Sequence, residues 1–122
     1  MSRETNQGGG SADDHPNHFL REWRDFMGWS QEELGAMVAV DQSKIARIET
    51  GKRELKMGFL RDLARVFGVP ASALLEVNPA TEAGARTASM LLAWNKLTDA
   101  QQADVLRMVR ALGSPDENTN SA

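Results

Sequence analysis

The sequence predicts an all-α protein, and three observations point to this class. Apolar residues recur at intervals of three and four along most of the chain, which is the period of an amphipathic helix. No stretch keeps the alternation of apolar and polar residues that is typical of a half-buried strand. Glycine and proline residues interrupt the helical pattern, and capping residues follow several of these interruptions. We therefore expect a five-helix domain followed by a C-terminal helical hairpin.

The composition sets broad limits on the class of protein. The chain has 122 residues, of which 41% are hydrophobic and 25% charged, enough for one compact domain with appendages. Cysteine is absent, which excludes disulfides, a thiol nucleophile and cysteine-bound zinc. No apolar run approaches the roughly 20 residues that span a bilayer, and the N-terminus lacks the apolar core of a secretory signal. We expect a cytoplasmic protein without a membrane partner.

The chain divides into four predicted parts. Residues 1–16 are polar and glycine-rich, and we expect a disordered tail because such a segment buries too little apolar surface to offset its ordering entropy. Residues 17–77 are expected to hold the five-helix domain. Residues 78–113, which begin with an Asn-Pro break, are expected to hold the hairpin. Residues 114–122 are expected to form a second disordered tail.

Both histidines of the chain, His15 and His18, lie close to the predicted junction between the tail and the first helix. Two histidines without carboxylate or thiolate neighbours rarely form a metal site. The sequence therefore indicates a solvated tail that enters the helix at Asn17, with no metal ligands.

The first two helices have recognisable boundaries. The apolar positions of the first helix are Phe19, Leu20, Trp23, Phe26 and Met27. Gly28 is expected to end it, and Ser30 with Glu33 forms the Ser-x-x-Glu capping box that begins the second helix. The side chains that the second helix is expected to turn inward are Leu34, Met37 and Val38.

The third helix follows a tight turn at residues 39–41 and is predicted over residues 42–50. Asp41 is expected to cap its N-terminus, and a glycine ends it. Ile45 and Ile48 are its buried pair. The polar side chains left on the outer face are Gln42, Ser43 and Arg47.

This outer face has the chemistry of a reader of DNA bases. Glutamine amides pair with the N6/N7 edge of adenine, and arginine pairs with O6/N7 of guanine. Each such bidentate pair contributes roughly 1–3 kcal/mol of discrimination in the major groove.

The remaining helices follow the same pattern. The apolar positions of the fourth helix are Phe59, Leu60, Leu63, Ala64 and Phe67. Pro70 suits the first turn of a short fifth helix. In the hairpin, one helix is predicted over about residues 82–96, and Thr98 with Gln101 forms a capping box for the other.

The charge distribution is compatible with a DNA partner despite a net charge of −3. Residues 42–65 contain seven basic and three acidic residues, a local excess of four positive charges. The acidic residues collect elsewhere, so the overall acidity predicts modest affinity per monomer and does not exclude nucleic acid.

Four motifs in register extend over about half of the chain. They are an arginine four residues before a glycine (Arg24 with Gly28), Ser-Gln-x-x-Leu-Gly at residues 30–35, Ile-x-x-Ile-Glu-x-Gly at 45–51 and Leu-x-x-Leu-Ala-x-x-Phe-Gly-Val at 60–69. With these motifs the sequence from Phe19 to Leu75 resembles the lambda-repressor-like helix-turn-helix family, also called the xenobiotic-response-element (XRE) type. The resemblance implies a bacterial regulator of transcription that binds double-stranded DNA.

Two positions depart from the family pattern. Gly35 stands where the second helix usually has alanine, which is expected to cost about 1 kcal/mol of helix propensity. Ala39 stands where the turn usually has glycine, so an alanine must adopt a conformation more natural to glycine. Neither departure removes a group that faces DNA.

The resemblance also implies roles for individual residues. Gln42, Ser43 and Arg47 occupy its base-reading positions. The residues placed to contact phosphates are Gln31, Lys44, Thr50, Lys52 and Arg53. Arg24 and Glu49 resemble the internal ion pair of the family, which would make Glu49 structural although it lies beside the DNA-binding face.

The hairpin is the predicted site of homodimer formation. Its apolar residues are Leu91, Leu92, Trp94, Val105, Met108 and Val109, more than two isolated helices could hide. Relatives usually bind palindromic operators as two-fold dimers, so the resemblance implies a dimeric repressor. The hairpin could instead fold back and enlarge the core of one chain.

A second hypothesis belongs to another class. The protein could be an antitoxin or adaptor whose C-terminal helices bind a protein partner, such as a toxin or phage protein, with DNA binding serving autoregulation. An effector-binding regulator is a weaker third hypothesis, because no sensory domain is visible. Nucleophile–base constellations, phosphate loops and paired acids are missing from the sequence, so we expect no catalytic residues, no cofactor and no enzyme.

Overall fold

The computed structural model describes residues 15–113, and both predicted tails lie almost wholly outside this range. Seven helices and no strand occur within it, which confirms the all-α class. The helices are α1 (Leu20–Met27), α2 (Gln31–Met37), α3 (Gln42–Glu49), α4 (Met57–Phe67), α5 (Ala71–Glu76), α6 (Glu82–Asn95) and α7 (Asp99–Gly113). None of the helices in this range is long and apolar enough to cross a membrane.

Local capping begins the helices that surround the predicted turn. The Ser30 hydroxyl accepts a hydrogen bond from the Glu33 N–H at 2.9 Å, and the Glu33 carboxylate accepts one from the Ser30 N–H at 2.8 Å. Asp41 begins α3 by accepting the Lys44 N–H at 3.0 Å. Because the first turn of a helix has N–H groups without intrahelical partners, these acceptors fix where α2 and α3 start.

The core lies between the five N-terminal helices and one face of α6. Its largest fully buried side chains are Leu20, Trp23, Leu34, Ile45, Ile48, Leu63 and Leu74. The Trp23 indole N–H donates to the carbonyls of Ala73 and Val77, at 3.1 and 3.0 Å. This buried tryptophan therefore joins α1 to the end of α5 through its polar atom as well as its ring.

Two apolar side chains expected to face inward are partly exposed. Met37, the last residue of α2, is 44% exposed. Phe26 is 36% exposed and packs edge-to-face with Trp23, with the ring centroids 6.2 Å apart. The period of three to four residues thus identifies the inner side of a helix but not its depth of burial.

The entry into α1 differs from the prediction. The helix starts at Leu20 and not at Asn17, and His18 is only 6% exposed where a solvated tail was expected. The His18 ring accepts the Leu20 N–H at 3.2 Å, which satisfies a donor of the first turn of α1. Because His18 takes part in the start of α1, its side chain is buried together with the first turn of that helix.

The turn between α2 and α3 explains the glycine at position 35 and shows that the alanine at position 39 is strained. Ala39 has a φ of +62°, the left-handed conformation that the sequence analysis anticipated. At Gly35 a Cβ atom would lie 2.7 Å from the carbonyl oxygen of Val40, whose N–H donates to the Gly35 carbonyl at 2.9 Å. Gly35 is therefore required by this turn, and the prediction of a mere propensity cost at this position was incomplete.

The two C-terminal helices pack very differently. Ala88 of α6 is fully buried, and Leu91 and Leu92 pack against the core. No residue of α7 is buried. The helix α7 begins with the predicted box, in which the Thr98 N–H donates to the Gln101 side chain at 2.9 Å.

Candidate nucleic-acid interface

Helix α3 presents one polar face because two isoleucines hold the other. Ile45 and Ile48 are buried, with 0% and 1% of their surface exposed. On the far side of the helix, Gln42, Ser43 and Arg47 are all exposed. The three residues expected to read bases therefore share one accessible side of a short helix.

A bidentate ion pair joins α1 to the end of α3. The Arg24 guanidinium donates to both carboxylate oxygens of Glu49, from Nε at 2.6 Å and from Nη2 at 3.1 Å. Its Nη1 donates to the Trp29 carbonyl at 2.7 Å. The hydrogen bond to Glu49 raises the pKa of Arg24, against the opposing effect of burial. Glu49 itself is buried. Its carboxylate therefore acts inside the protein, in the Arg24–Glu49 ion pair that the resemblance implied.

The same carboxylate begins a chain of hydrogen bonds that reaches the exposed side of α3. Gln31 Nε2 donates to Glu49 Oε1 at 3.0 Å, and Gln42 Nε2 donates to Gln31 Oε1 at 2.9 Å. Because a carboxylate only accepts, Glu49 fixes which end of the Gln31 amide faces it, and Gln31 in turn fixes the Gln42 amide. Sequence reasoning missed this chain, because Gln31 had been assigned to a phosphate alone.

The chain leaves Gln42 with the groups that an adenine edge requires. One N–H of its amide is used on Gln31, while the second N–H and the carbonyl oxygen have no partner within the described residues. A bidentate contact with adenine uses one donor and one acceptor of this kind.

Ser43 and the cap residue Asp41 form a small polar cluster beside this amide. The Ser43 hydroxyl donates to the Asp41 carboxylate at 3.0 Å. The backbone N–H of Lys44, and after it this hydroxyl, hold the pKa of Asp41 below its usual value. With its proton directed at Asp41, the Ser43 oxygen is oriented as an acceptor.

The predicted phosphate ligands fall into two groups. The side chains of Lys52 and Arg53 are exposed and form no ion pair within residues 15–113. Lys44 places its ammonium 4.5 Å from the centroid of the Phe59 ring. The Thr50 hydroxyl donates to the carbonyls of Ala46 and Arg47, at 3.1 and 3.3 Å. Within the described residues, the Lys52 and Arg53 side chains are free to bind an anion. Lys44 and Thr50 already have partners inside the chain.

The start of α4 is a further positive element that the sequence analysis did not single out. Its first turn contains no acidic residue, and its N-cap residue Lys56 makes no side-chain capping bond. Lys56 lines the same hollow as Lys44 and Arg53, and these three cations outnumber the one carboxylate there, that of Glu54. Free N–H groups and the helix dipole favour an anion at such an end, so this hollow extends the positive edge of the α3 surface.

Residues 15–113 contain no group of three or more histidine, cysteine, aspartate or glutamate side chains that could hold a metal ion. The surface around α3 consists instead of amides, a hydroxyl and cations, whose natural partners are hydrogen-bonding edges and anions.

Comparison with known families decides how this surface is classified. Residues 18–77 match the family model described as a helix-turn-helix domain. These residues, about half of the chain, therefore form a domain of the helix-turn-helix type. Domains of this kind place the second helix of the pair in the major groove, so the match supports a DNA-binding regulator. Helix-turn-helix regulators are generally not enzymes.

Comparison with solved structures supports the fold of this helix-turn-helix protein. The crystal structure of the transcriptional regulator BswR is similar, with a TM-score of 0.54 and 23% sequence identity. The match covers 75% of this chain and 89% of that chain, so it extends beyond the helix-turn-helix domain. At this identity the likeness concerns the fold. Comparison with curated proteins finds no match.

Proposed function

We propose that this protein is a sequence-specific, XRE-type regulator of transcription that inserts α3 into the major groove of its operator. One observation carries the proposal. The only large apolar side chains of α3, Ile45 and Ile48, are buried, while its opposite side exposes an amide, a hydroxyl and a guanidinium. A helix built in this way presents hydrogen-bonding groups at the width of a major groove.

Gln42 and Arg47 are the proposed base readers, with Ser43 as a third contact. The Gln42 amide is oriented by Gln31 and would pair with an adenine, whereas Arg47 would pair with a guanine. Ser43, whose proton is held by Asp41, would accept from an exocyclic amine of adenine or cytosine. The operator is therefore expected to contain an adenine and a guanine within a few base pairs of each other.

Phosphate contacts are assigned to the cationic edge of the same surface. Lys52 and Arg53 would bind phosphates with their free side chains. Lys44 and Thr50 would contribute less, because each already has a partner within the chain. Gln31 would reach a phosphate through the backbone N–H groups at the start of α2, since its side-chain amide joins Glu49 to Gln42.

Dimer formation through α7 is the second part of the proposal. Val105, Met108, Val109 and Leu112 follow one another at helical spacing, and three of them are strongly exposed, Leu112 at 78%. Pairing two copies of this face would give a two-fold protein for a palindromic operator with half-sites about 34 Å apart. A dimer that occupies promoter DNA would act as a repressor in the cytoplasm.

The same exposed face favours one alternative function. If α7 binds a different protein, the chain is an antitoxin or adaptor, and DNA binding serves autoregulation. The mass of the purified protein separates the two. A particle of two identical chains supports the dimer, and a stoichiometric foreign chain supports the adaptor.

Selection of bound duplexes from a random pool tests the proposal as a whole. We expect an enriched palindrome with adenine and guanine in each half-site. Recovery of duplexes without any shared sequence would contradict sequence-specific binding, and a single asymmetric half-site would contradict the two-fold dimer.

A further inference from the structure

The junction between the five-helix domain and the C-terminal helices is a close contact between two backbone segments. Gly84 lies in the first turn of α6, six residues after Asn78. A Cβ atom at residue 84 would overlap the carbonyl group of Asn78 and lie 2.8 Å from the hydroxyl oxygen of Thr81. The start of α6 can therefore approach the preceding segment this closely only because residue 84 has no side chain.

Hydrogen bonds hold the two segments of this junction together. The Thr81 hydroxyl donates to the Asn78 carbonyl at 2.9 Å and accepts the Gly84 N–H at 2.9 Å. The Asn78 carbonyl also accepts the Thr81 N–H at 3.2 Å, and the Asn78 side chain accepts the Ala80 N–H at 2.9 Å. Because one hydroxyl both caps α6 and donates to the segment before it, Thr81 ties the helix to residue 78.

The segment before α6 is itself attached to the five-helix domain. The carbonyl of Val77, directly before Asn78, accepts a hydrogen bond from the Trp23 indole N–H of α1 at 3.0 Å. Pro79, directly after Asn78, is buried. Farther along α6, Ala88 is fully buried in the core. Contacts at the start of α6 and along its length therefore set the direction in which this helix leaves the domain.

Helix α6 in turn carries α7, the helix of the proposed dimer interface. The connection between the two helices consists of residues 96–98, and Gln102 Nε2 of α7 donates to the Trp94 carbonyl of α6 at 3.0 Å. The apolar stripe of α7 thus has a defined orientation relative to the exposed side of α3. A second copy bound through this stripe would place the two α3 helices at one separation and one angle.

We propose that Gly84 and Thr81 are positioning residues that fix the spacing between the two half-sites of the operator. The inference rests on the proposed function, in which α3 reads bases and α7 forms a two-fold dimer. Neither residue belongs to the proposed DNA-binding surface, and both act by holding the direction of α6. Each base pair added between the half-sites moves them apart by about 3.4 Å and rotates them by about 34°. A dimer with a fixed junction can therefore bind both half-sites at one spacing.

The test compares two variants of neighbouring residues in the full-length chain. Gly84→Ala adds a methyl group that overlaps Asn78 and so displaces the start of α6, although alanine favours a helix more than glycine does. Ala83→Gly is the matched control, because Ala83 is exposed in the same turn and its replacement weakens the helix without entering the junction. Affinity is measured for the selected palindrome, for the same palindrome with one or two base pairs added at its centre, and for a single half-site.

The wild-type chain and Ala83→Gly should both require one spacing. We expect the added base pairs to lower their affinity about tenfold or more, towards that of a single half-site, because simultaneous binding of both half-sites is lost. For Gly84→Ala we expect a loss of less than about threefold on the longer palindromes, with an unchanged half-site affinity, because a displaced α6 lets the two domains adjust. Thr81→Val removes the bridging hydroxyl and should shift the spacing preference in the same direction.

A wild-type dimer that binds all spacings equally, or a Gly84→Ala dimer that keeps the wild-type preference, would overturn the inference and leave the proposed function intact. An equal loss of preference in Ala83→Gly would also overturn it, because the stability of α6 and not the junction would then set the spacing. If Gly84→Ala also loses half-site affinity, its five-helix domain is no longer folded, and Thr81→Val decides by the same criterion. A wild-type chain that binds no duplex, or forms no dimer, would overturn the inference together with that part of the proposed function.

Discussion

Helices α3 and α7 are both amphipathic, and they differ in which face the rest of the chain covers. In α3 the apolar face is buried against the core and the polar face is presented outward. In α7 no residue is buried, and its apolar stripe is open. The N-terminal half of the molecule thus covers the apolar face of α3 within one chain, whereas the described residues leave the apolar stripe of α7 uncovered, and we propose that a second copy of the chain covers it.

The packing of the N-terminal half can be disrupted at Glu49, where we expect the largest change in the free energy of unfolding. Glu49→Ala leaves the Arg24 guanidinium, 11% exposed, without its partner and frees the Gln31 amide. Breaking a buried pair by removing one side costs about 3–5 kcal/mol of unfolding free energy. Because the exposed Asp25 carboxylate lies 3.3 Å from Arg24 Nη1 and compensates part of the charge, we expect a loss near the lower end, about 3 kcal/mol. Urea denaturation measures the loss. The matched control is Asp62→Ala, which removes the exposed pair with Arg65 and should cost under about 1 kcal/mol.

The open face of α7 can be broken with a single charge. Val109 is 55% exposed, and Val109→Glu would place a carboxylate within the proposed dimer interface. We expect the dimer to weaken by about 2–3 kcal/mol, from lost apolar burial and the cost of burying a charge. Sedimentation measures the change in mass, and the unfolding free energy of the first five helices should stay the same.

Ala103→Glu is the control for this variant, because it adds the same charge to the exposed polar side of α7. Dissociation by both variants alike would show that added negative charge matters and not the apolar face. If neither variant dissociates the dimer, α7 is not part of the interface.

Variants of two cations, Arg47 and Lys52, test which residues of the proposed DNA-binding face read bases and which bind phosphates. Arg47→Ala should lower operator affinity by about 1–3 kcal/mol and relax the preference at one base pair. Lys52→Ala should weaken binding to all duplexes alike and reduce the salt slope by about 0.9. Titration of operator and scrambled duplexes at several salt concentrations checks both. Equal losses on every sequence for both variants would contradict the assigned roles.

The smallest effect concerns the turn that sets α3 against α2. Ala39 has a φ of +62°, so Ala39→Gly should stabilise the fold by about 1 kcal/mol. Gly28→Ala is the inverse experiment, because φ there is +77° and no atom would lie within 4 Å of the new Cβ. It should destabilise by a similar amount. Thermal unfolding of both variants measures the two changes in stability. If Ala39→Gly destabilised the fold, the backbone at Ala39 would not be strained.

Features that depend on neighbours a few residues apart could be predicted from the sequence. The helix periods, the Ser30–Glu33 and Thr98–Gln101 boxes and the Asp41 cap follow from contacts three residues apart, and all are present. The exposed face of α3 follows from the same periodicity. The Arg24–Glu49 contact could be stated only through family resemblance, because 25 residues separate its members.

The contacts that join distant segments could not be predicted from the sequence and are visible only in the folded protein. Gln31 and Glu49 are 18 residues apart, and nothing in their spacing indicates that an amide joins the ion pair to Gln42, the proposed base reader. The burial of His18, the lack of room at Gly35 and the open face of α7 depend in the same way on which helix end or carbonyl lies nearby. Periodicity reports the side of a helix that meets other atoms, whereas three-dimensional packing decides which atoms those are.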